Sequence, residues 1–491
     1  MSIRRRSKFV FVLAALAAPL ACKDSGDDEG TGTEDPTGTT AGATGDPPPT
    51  SSATEPTPTD DGGSTDDTGD AAVRPNWHED IAPLTAQHCR SCHNAGGVAP
   101  FDMATYEMTK PWAPAMALDV DMALMPPWHA VETDECTPPF AFKHDARLDD
   151  AEKQLFRDWA DLGAPEGDPA LAAPLPDPPS LDLQDPSTTE LMQSEVTIPA
   201  AGQVRDYFNC LSIDPGNTET VYVDGLQVIP GNTGVVHHVL IYVDPTGESA
   251  AWPGGVKTDC NGGAGIQGQP QLIAGWVPGS LPIEPPTDVG TELPPGTRLI
   301  LNVHYHAQAS EQKDSKTGLA IRWKSEEPAW TSRFVLVGAP GLGMSQTGEM
   351  LIPAGASGHE ESFTWSVNFP DIVDVRVWAA LAHMHKVGVD LKVWVESGDT
   401  GDETCLLQTP KYDYNWQRSY AYDTPVSEGF RVRGGDKVHV RCTFDNTLMN
   451  PGVQEMLAEV GLDAPIDVGL GEGTLDEMCL SGLGVAIKGG L

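Results

Sequence analysis

His383 and His385 flank a single methionine inside an apolar run, with Val375, Val377 and Trp378 before them and Val387, Val389 and Leu391 after. On an extended strand, residues two apart share a face, so the spacing predicts two imidazoles converging on one ion. Far downstream, Met478 precedes Cys479 in the stretch Asp476-Glu477-Met478-Cys479. A thioether is a soft donor that favours reduced copper over zinc or magnesium. A second group of histidines lies upstream, His237-His238 and then His304-Tyr305-His306. Neighbours on a regular strand point to opposite faces. His237 and His238 can therefore share a metal only if the strand bulges or the two rings use different nitrogens. Two histidine clusters, one joined by a methionine, point to two copper sites.

A third constellation is Cys89-Arg90-Ser91-Cys92-His93. CxxCH is the spacing of covalent c-type haem attachment, in which Cys89 and Cys92 take the vinyl groups and His93 becomes an axial ligand. The competing chemistries are a zinc half-site and a redox CxxC. For the second axial position Met103, Met108, Met116, Met122 and Met125 qualify by type. Met125, in Leu124-Met125-Pro126-Pro127-Trp128, is favoured because two prolines stiffen its loop. His129 is the competitor, and its plainer role is structural.

The order and spacing of the copper-type residues resemble the copper type II, ascorbate-dependent monooxygenases, the family of peptidylglycine α-hydroxylating and dopamine β-monooxygenases. The resemblance covers roughly residues 190–488 and rests on the ordered set, since each element alone is weak. It implies His237, His238 and His304 as ligands of a first copper, and His383, His385 and Met478 of a second, where oxygen and substrate react. It also implies disulfides Cys210–Cys260 and Cys442–Cys479, the latter anchoring the backbone beside Met478. Cys136 and Cys405 are left either bridged to each other or free. His306, His359 and His439 are expected to be structural, as are His78, His88 and His144. The chain departs from the peptide-amidating members at three places. Leu381 stands where they carry Arg, and Leu480 and Gly482 where they carry Asn and Tyr. Those groups hold a peptide carboxylate, so peptide amidation is not expected here.

The elements that must position these residues divide the 491-residue chain into several parts. Residues 1–22 read as an export signal. Arg4, Arg5, Arg6 and Lys8 precede the apolar run Phe9–Ala21, too short to span a bilayer. Pro19-Leu20-Ala21-Cys22 resembles a bacterial lipobox with Cys22 as the lipidated residue, although Pro19 departs from the usual Leu. Residues 23–73 hold 13 Asp and Glu against one Lys and no aromatic residue, the composition of a disordered tether. Its coil dimension is roughly 40 Å. Residues 74–168 read as a small all-α cytochrome c-like domain. It is closed by a helix that begins with the capping-box pattern Asp149-Asp150-Ala151-Glu152, carries Leu155, Phe156, Trp159 and Leu162 on one face, and stops at Gly163. A Pro-rich linker, 169–188, leads to two antiparallel β-sandwich, jelly-roll-like domains, 189–332 and 333–491. Short alternating runs such as Val235–Val243, Arg298–His304, Val373–Leu381 and Lys437–Cys442 are punctuated by Gly and Pro turns in both.

The formal charge of −41 repels phosphate backbones and argues against nucleic-acid binding. The expectation is therefore an extracytoplasmic dicopper monooxygenase with one covalently bound haem. It would take O2, a small organic substrate and an external electron donor, and meet a membrane only through the lipid on Cys22. The rival expectation is a non-catalytic copper-binding or electron-transfer lipoprotein.

Overall fold

The computed structural model of the protein describes residues 74–489, apart from positions 96–98, 181, 203, 261–262, 279, 339–349, 371 and 474. The expected export segment, Cys22 and the acidic tether lie outside the described residues. Among those described, no helix is long and apolar enough to cross a membrane.

The chain is mostly β-sheet with few helices. Alternation decides which face each strand buries. Along Lys437–Asp445, Val438, Val440, Cys442 and Phe444 point into the core while the residues between them are partly exposed. This strand belongs to a four-stranded sheet with Ser357–Ser366, Gly388–Glu396 and Glu403–Thr409. Its inner face packs on Val375, Val377, Leu483 and Val485 of a much longer sheet to form the C-terminal core. The N-terminal core is built likewise. Val239, Ile241, Leu301 and Val303 come from a five-stranded sheet, and Val223, Leu226, Leu319 and Ile321 from the other half of the long sheet.

That long sheet corrects one expectation. Two sandwiches are present, but they share a nine-stranded sheet that runs through both. It is continuous because Trp330 and Thr331 pair in parallel with Val289 and Gly290, an exception to the otherwise antiparallel pairing. Hydrogen bonds of one sheet therefore join the two halves.

The strand Arg298–His306 is buried at nearly every position. Its outward residue Ile300 is covered by the segment that Cys210–Cys260 pins over the sheet. The disulfide Cys442–Cys479 ties the four-stranded sheet to the start of the last strand, Leu480–Lys488.

The helical part holds a core of its own, with Phe156 and Trp159 fully buried against Trp77, Ile81 and Met116. Asp149 and Glu152 form the reciprocal capping box at the start of the helix Asp150–Asp161. Leu162 does not join the buried face. It is the C-cap, 48% exposed, because the chain turns away at Gly163 with φ 79°. Within 74–168 the helical core is interrupted. Trp128, Ala130 and Phe142 pack into the C-terminal sandwich, Phe142 bridges to Tyr422, and Cys136 is disulfide-bonded to Cys405.

Candidate metal centre

The strand Val236–Asp244 bulges where the histidines need it to, with its register against Arg298–His306 shifting between Val236 and His238. The extra residue lets both rings turn to one side and meet His304 from the neighbouring strand. The three Nδ1 atoms form a nearly equilateral triangle: 3.3 Å between His237 and His238, 3.2 Å between His237 and His304, and 3.2 Å between His304 and His238. Two nitrogens each about 2.0 Å from one ion at a tetrahedral angle lie about 3.3 Å apart, so the donor set fits a single transition-metal ion. Among the described residues these three are also the one group of His, Cys, Asp and Glu whose ligand atoms cluster within 4.8 Å.

The opposite ring nitrogens are held. His304 Nε2 lies 2.9 Å from Asp206 Oδ1, so it carries the hydrogen when Nδ1 faces the triangle. The same carboxylate oxygen lies 3.3 Å from His306 Nδ1, placing His306 behind the triangle. His237 Nε2 is hydrogen-bonded to the hydroxyl of Tyr414, which comes from the other sandwich. Burial, reinforced by the neighbouring imidazoles, pushes His237 and His238 well below the ordinary histidine value. Both rings are therefore neutral, the form that binds metal.

The second cluster is built differently from the strand alternation the spacing suggests. The strand Asp374–His383 ends on His383, and His385 lies beyond it. Met384 between them is buried in the core. What sets the pair is a loop held by Glu477. Its fully buried carboxylate accepts the amide N–H of His385, that of Val387 at 3.2 Å and that of Met478 at 2.7 Å. One side chain, 92 residues from His385, thus joins the His-x-His turn to the neighbouring methionine. The rings of His383 and His385 stand at 90° with centroids 5.4 Å apart.

Each ring of this pair is anchored through Nδ1, His383 to Gln417 Oε1 at 2.6 Å and His385 to the Asp476 carbonyl at 2.9 Å. Nε2 is left as the donor in both. Burial lowers His383, and burial first, then His383, lowers His385 to about 3. Met478 and His383 line the same cleft, as does His238 of the first cluster. The two clusters abut, with the His238 and His383 rings 6.1 Å apart at their centroids.

In the helical part, Cys89 and Cys92 are the free thiols among the described residues, the other six described cysteines being paired. His93 is buried, and its Nδ1 lies 3.1 Å from the Phe101 carbonyl, leaving Nε2 for a ligand. Burial pushes the Cys89 thiol up to about 12, the opposite of the depressed thiolate of a redox CxxC. Phe101 stacks on Trp112 at 4.1 Å, and its ring lies 4.5 Å from that of His93. Met125 is half-buried, and its amide N–H donates to the Asp119 carbonyl in the last turn of the helix Ala113–Asp121. The competitor His129 is buried beside the C-terminal sandwich, where its amide N–H donates to the Tyr420 hydroxyl. The positive charge of Arg418 reaches both Cys92 and His129.

Of the remaining histidines, His78, His88, His359 and His439 lie beside Glu166, Glu152, Glu361 and Glu396, and His144 is exposed. Four residues at the two clusters escape sequence reasoning as functional groups: Asp206, Tyr414, Gln417 and Glu477. Glu477 alone had a local signal, its place beside Met478.

Comparison with known proteins gives a distant and partial likeness. No protein-family model matches the chain. It is similar to DBH-like monooxygenase protein 2 of Mus musculus, 25% identical over 269 residues, which cover 52% of this chain and 38% of that relative's own length. The chain thus spans well under half the length of that relative, whose name is that of a monooxygenase. Among solved structures, infectious bursal virus T=1 particles (65% of this chain and 72% of that one, 11% identity) and the VP2 subviral particle of infectious bursal disease virus (65% and 75%, 10% identity) both align at a TM-score of 0.18. Likeness that slight carries no reading.

Proposed function

We propose that the chain is an exported dicopper monooxygenase. It would hydroxylate a C–H bond of a small organic substrate, R–H, O2, two electrons and two protons giving R–OH and water. The observation that carries this reading is the opening of both clusters onto one cleft, with the thioether on one side only. His237, His238 and His304 would hold the first copper, and His383, His385 and Met478 the second. Copper bound there supplies dioxygen activation and one-electron storage. The protein's own part is positional. Asp206 and Tyr414 fix the first set of rings, Gln417 and the Asp476 carbonyl fix the second, and Glu477 brings Met478 to the second pair.

Cys89, Cys92 and His93 fit a covalently attached haem, with Met125 or His129 as the further ligand. Such a haem would pass electrons from an external donor toward the coppers. Supporting this is the segment Lys411–Arg418. Lys411 donates to the Met122 carbonyl at 3.4 Å in the helical part, Arg418 lies over the Trp128 ring at 5.8 Å with its charge felt at Cys92, and Gln417 binds His383. Export, with Cys22 lipidated, agrees with a haem attached outside the cytoplasm.

Metal analysis should give about two coppers and one iron per chain. Copper-loaded, reduced protein should consume oxygen, and Met478→Ile should abolish that uptake. Copper without oxygen uptake in either protein would make this a non-catalytic copper or electron-transfer protein.

A further inference from the structure

The cleft between the clusters is walled from both sandwiches, by Phe208, Leu240 and Trp276 on one side and Phe334, Leu381 and Leu480 on the other. Apart from the imidazoles of His238 and His383, its polar side chains are engaged within the protein. Asn302 Nδ2 donates to the carbonyls of Cys260 at 2.9 Å and Gly263 at 2.6 Å, which uses both of its hydrogens. Gln417 accepts from His383 through Oε1 and donates from Nε2 to the Tyr414 carbonyl at 3.1 Å. Glu472 is half-buried and interacts within the protein. Among the described residues lining the cleft there is no Lys or Arg.

An anion entering such a space would lose its water and meet no cation among the described lining residues, and a cation would have to draw Glu472 from the interaction it already makes, so either costs several kcal/mol. An apolar group loses only unfavourable hydration, about 25 cal/mol per Å². Gly482, behind the Phe334 wall, leaves room for that ring. A Cβ built on Gly482 would stand 2.3 Å from Phe334 Cζ, so the Phe334 ring fills the space that any side chain at 482 would need.

We infer that the cleft takes an uncharged apolar group, an aryl or short alkyl end bearing the C–H bond, and that Phe334 over Gly482 determines which groups fit. That the bound end is the one hydroxylated rests on the monooxygenase reading. That an apolar end binds does not.

The test uses three probes sharing one ring: ethylbenzene, 2-phenylethylammonium and 3-phenylpropionate. Each is titrated by saturation-transfer NMR into the full chain, kept reduced and free of oxygen. Ethylbenzene should bind at least tenfold more tightly than either ion, and Gly482→Val should weaken it at least fivefold. Where Gly482→Val does not fold, Phe334→Leu replaces it and should change ethylbenzene affinity at least threefold. Tighter binding of the ammonium, lost in Glu472→Gln, would overturn the proposal. So would equal binding of all three probes, binding of none, or indifference to the wall variants. Ethylbenzene binding in a protein that consumes no oxygen would sink the monooxygenase reading and leave the chemistry of the cleft standing.

Discussion

Tyr414, carried by the C-terminal sandwich, is hydrogen-bonded through its hydroxyl to Nε2 of His237, carried by the N-terminal one. Three residues later Gln417 binds His383, so one turn, Tyr414–Trp416 with its flanking residue, touches both clusters. Burial raises the Tyr414 hydroxyl far above the ordinary tyrosine value, which keeps it protonated and uncharged. The contact therefore orients the imidazole without adding charge to the site, as an outer partner of a metal ligand does.

Removing that hydroxyl should tell the clusters apart. In Tyr414→Phe, His237 loses its orienting partner while His383 and His385 keep theirs. Copper affinity at the first site should fall about 10- to 100-fold and that at the second should not change. Competition titration against a Cu(I) chelator, resolving two binding steps, measures both. An unchanged first step would reduce the contact to a link between sandwiches.

The sequence made the metal-type side chains legible because their chemistry is intrinsic to residue type and spacing. What positions them was not. His237 and His238 could be paired only by assuming a bulge or different ring nitrogens, and the bulge arises from register against the distant strand Arg298–His306. The His383–His385 spacing pointed to alternation along a strand, yet the strand stops at His383 and a buried carboxylate holds the turn. Tyr414 meets His237 across 177 residues of chain, a contact fixed by how two sheets pack and by no local pattern. The shared sheet was hidden for a similar reason, since among the described residues two pairs, Trp330–Val289 and Thr331–Gly290, join its halves.

The disulfide Cys442–Cys479 closes a loop of 37 residues and fixes the backbone next to Met478. Chain-entropy arithmetic gives about 4 kcal/mol for a loop of that length. The double variant Cys442→Ala, Cys479→Ala should lose stability of that order in urea unfolding, and should release the second copper more readily than the first. Equal weakening of both coppers would mean that the bridge acts on the sandwich as a whole.

The CxxCH stretch makes its own claim. Expressed with a c-type haem maturation system, the chain should show a haem spectrum that survives acid-acetone extraction. Cys89→Ser with Cys92→Ser should make the haem extractable. His93→Ala should change the axial-ligand bands, while the coppers stay bound. A chain that takes up no haem under those conditions would remove the haem from the proposal and leave the copper clusters untouched.

Glu477 offers the sharpest separation of stability from site geometry. Its carboxylate is fully buried and accepts amide hydrogens from His385, Val387 and Met478. Deleting it in Glu477→Ala leaves those three donors unsatisfied, at about 1–3 kcal/mol each, and frees the methionine from the His-x-His turn. Glu477→Gln keeps one acceptor oxygen and the same shape. The alanine variant should lose at least about 3 kcal/mol in urea unfolding, while the glutamine variant should lose less than half of that. Both should bind the first copper normally. X-ray absorption at the copper edge reads the rest: the sulfur scatterer of the second site should vanish in Glu477→Ala and persist in Glu477→Gln. A sulfur contribution that survives in Glu477→Ala would show that Met478 is placed by Cys442–Cys479 alone and that the carboxylate serves only the backbone.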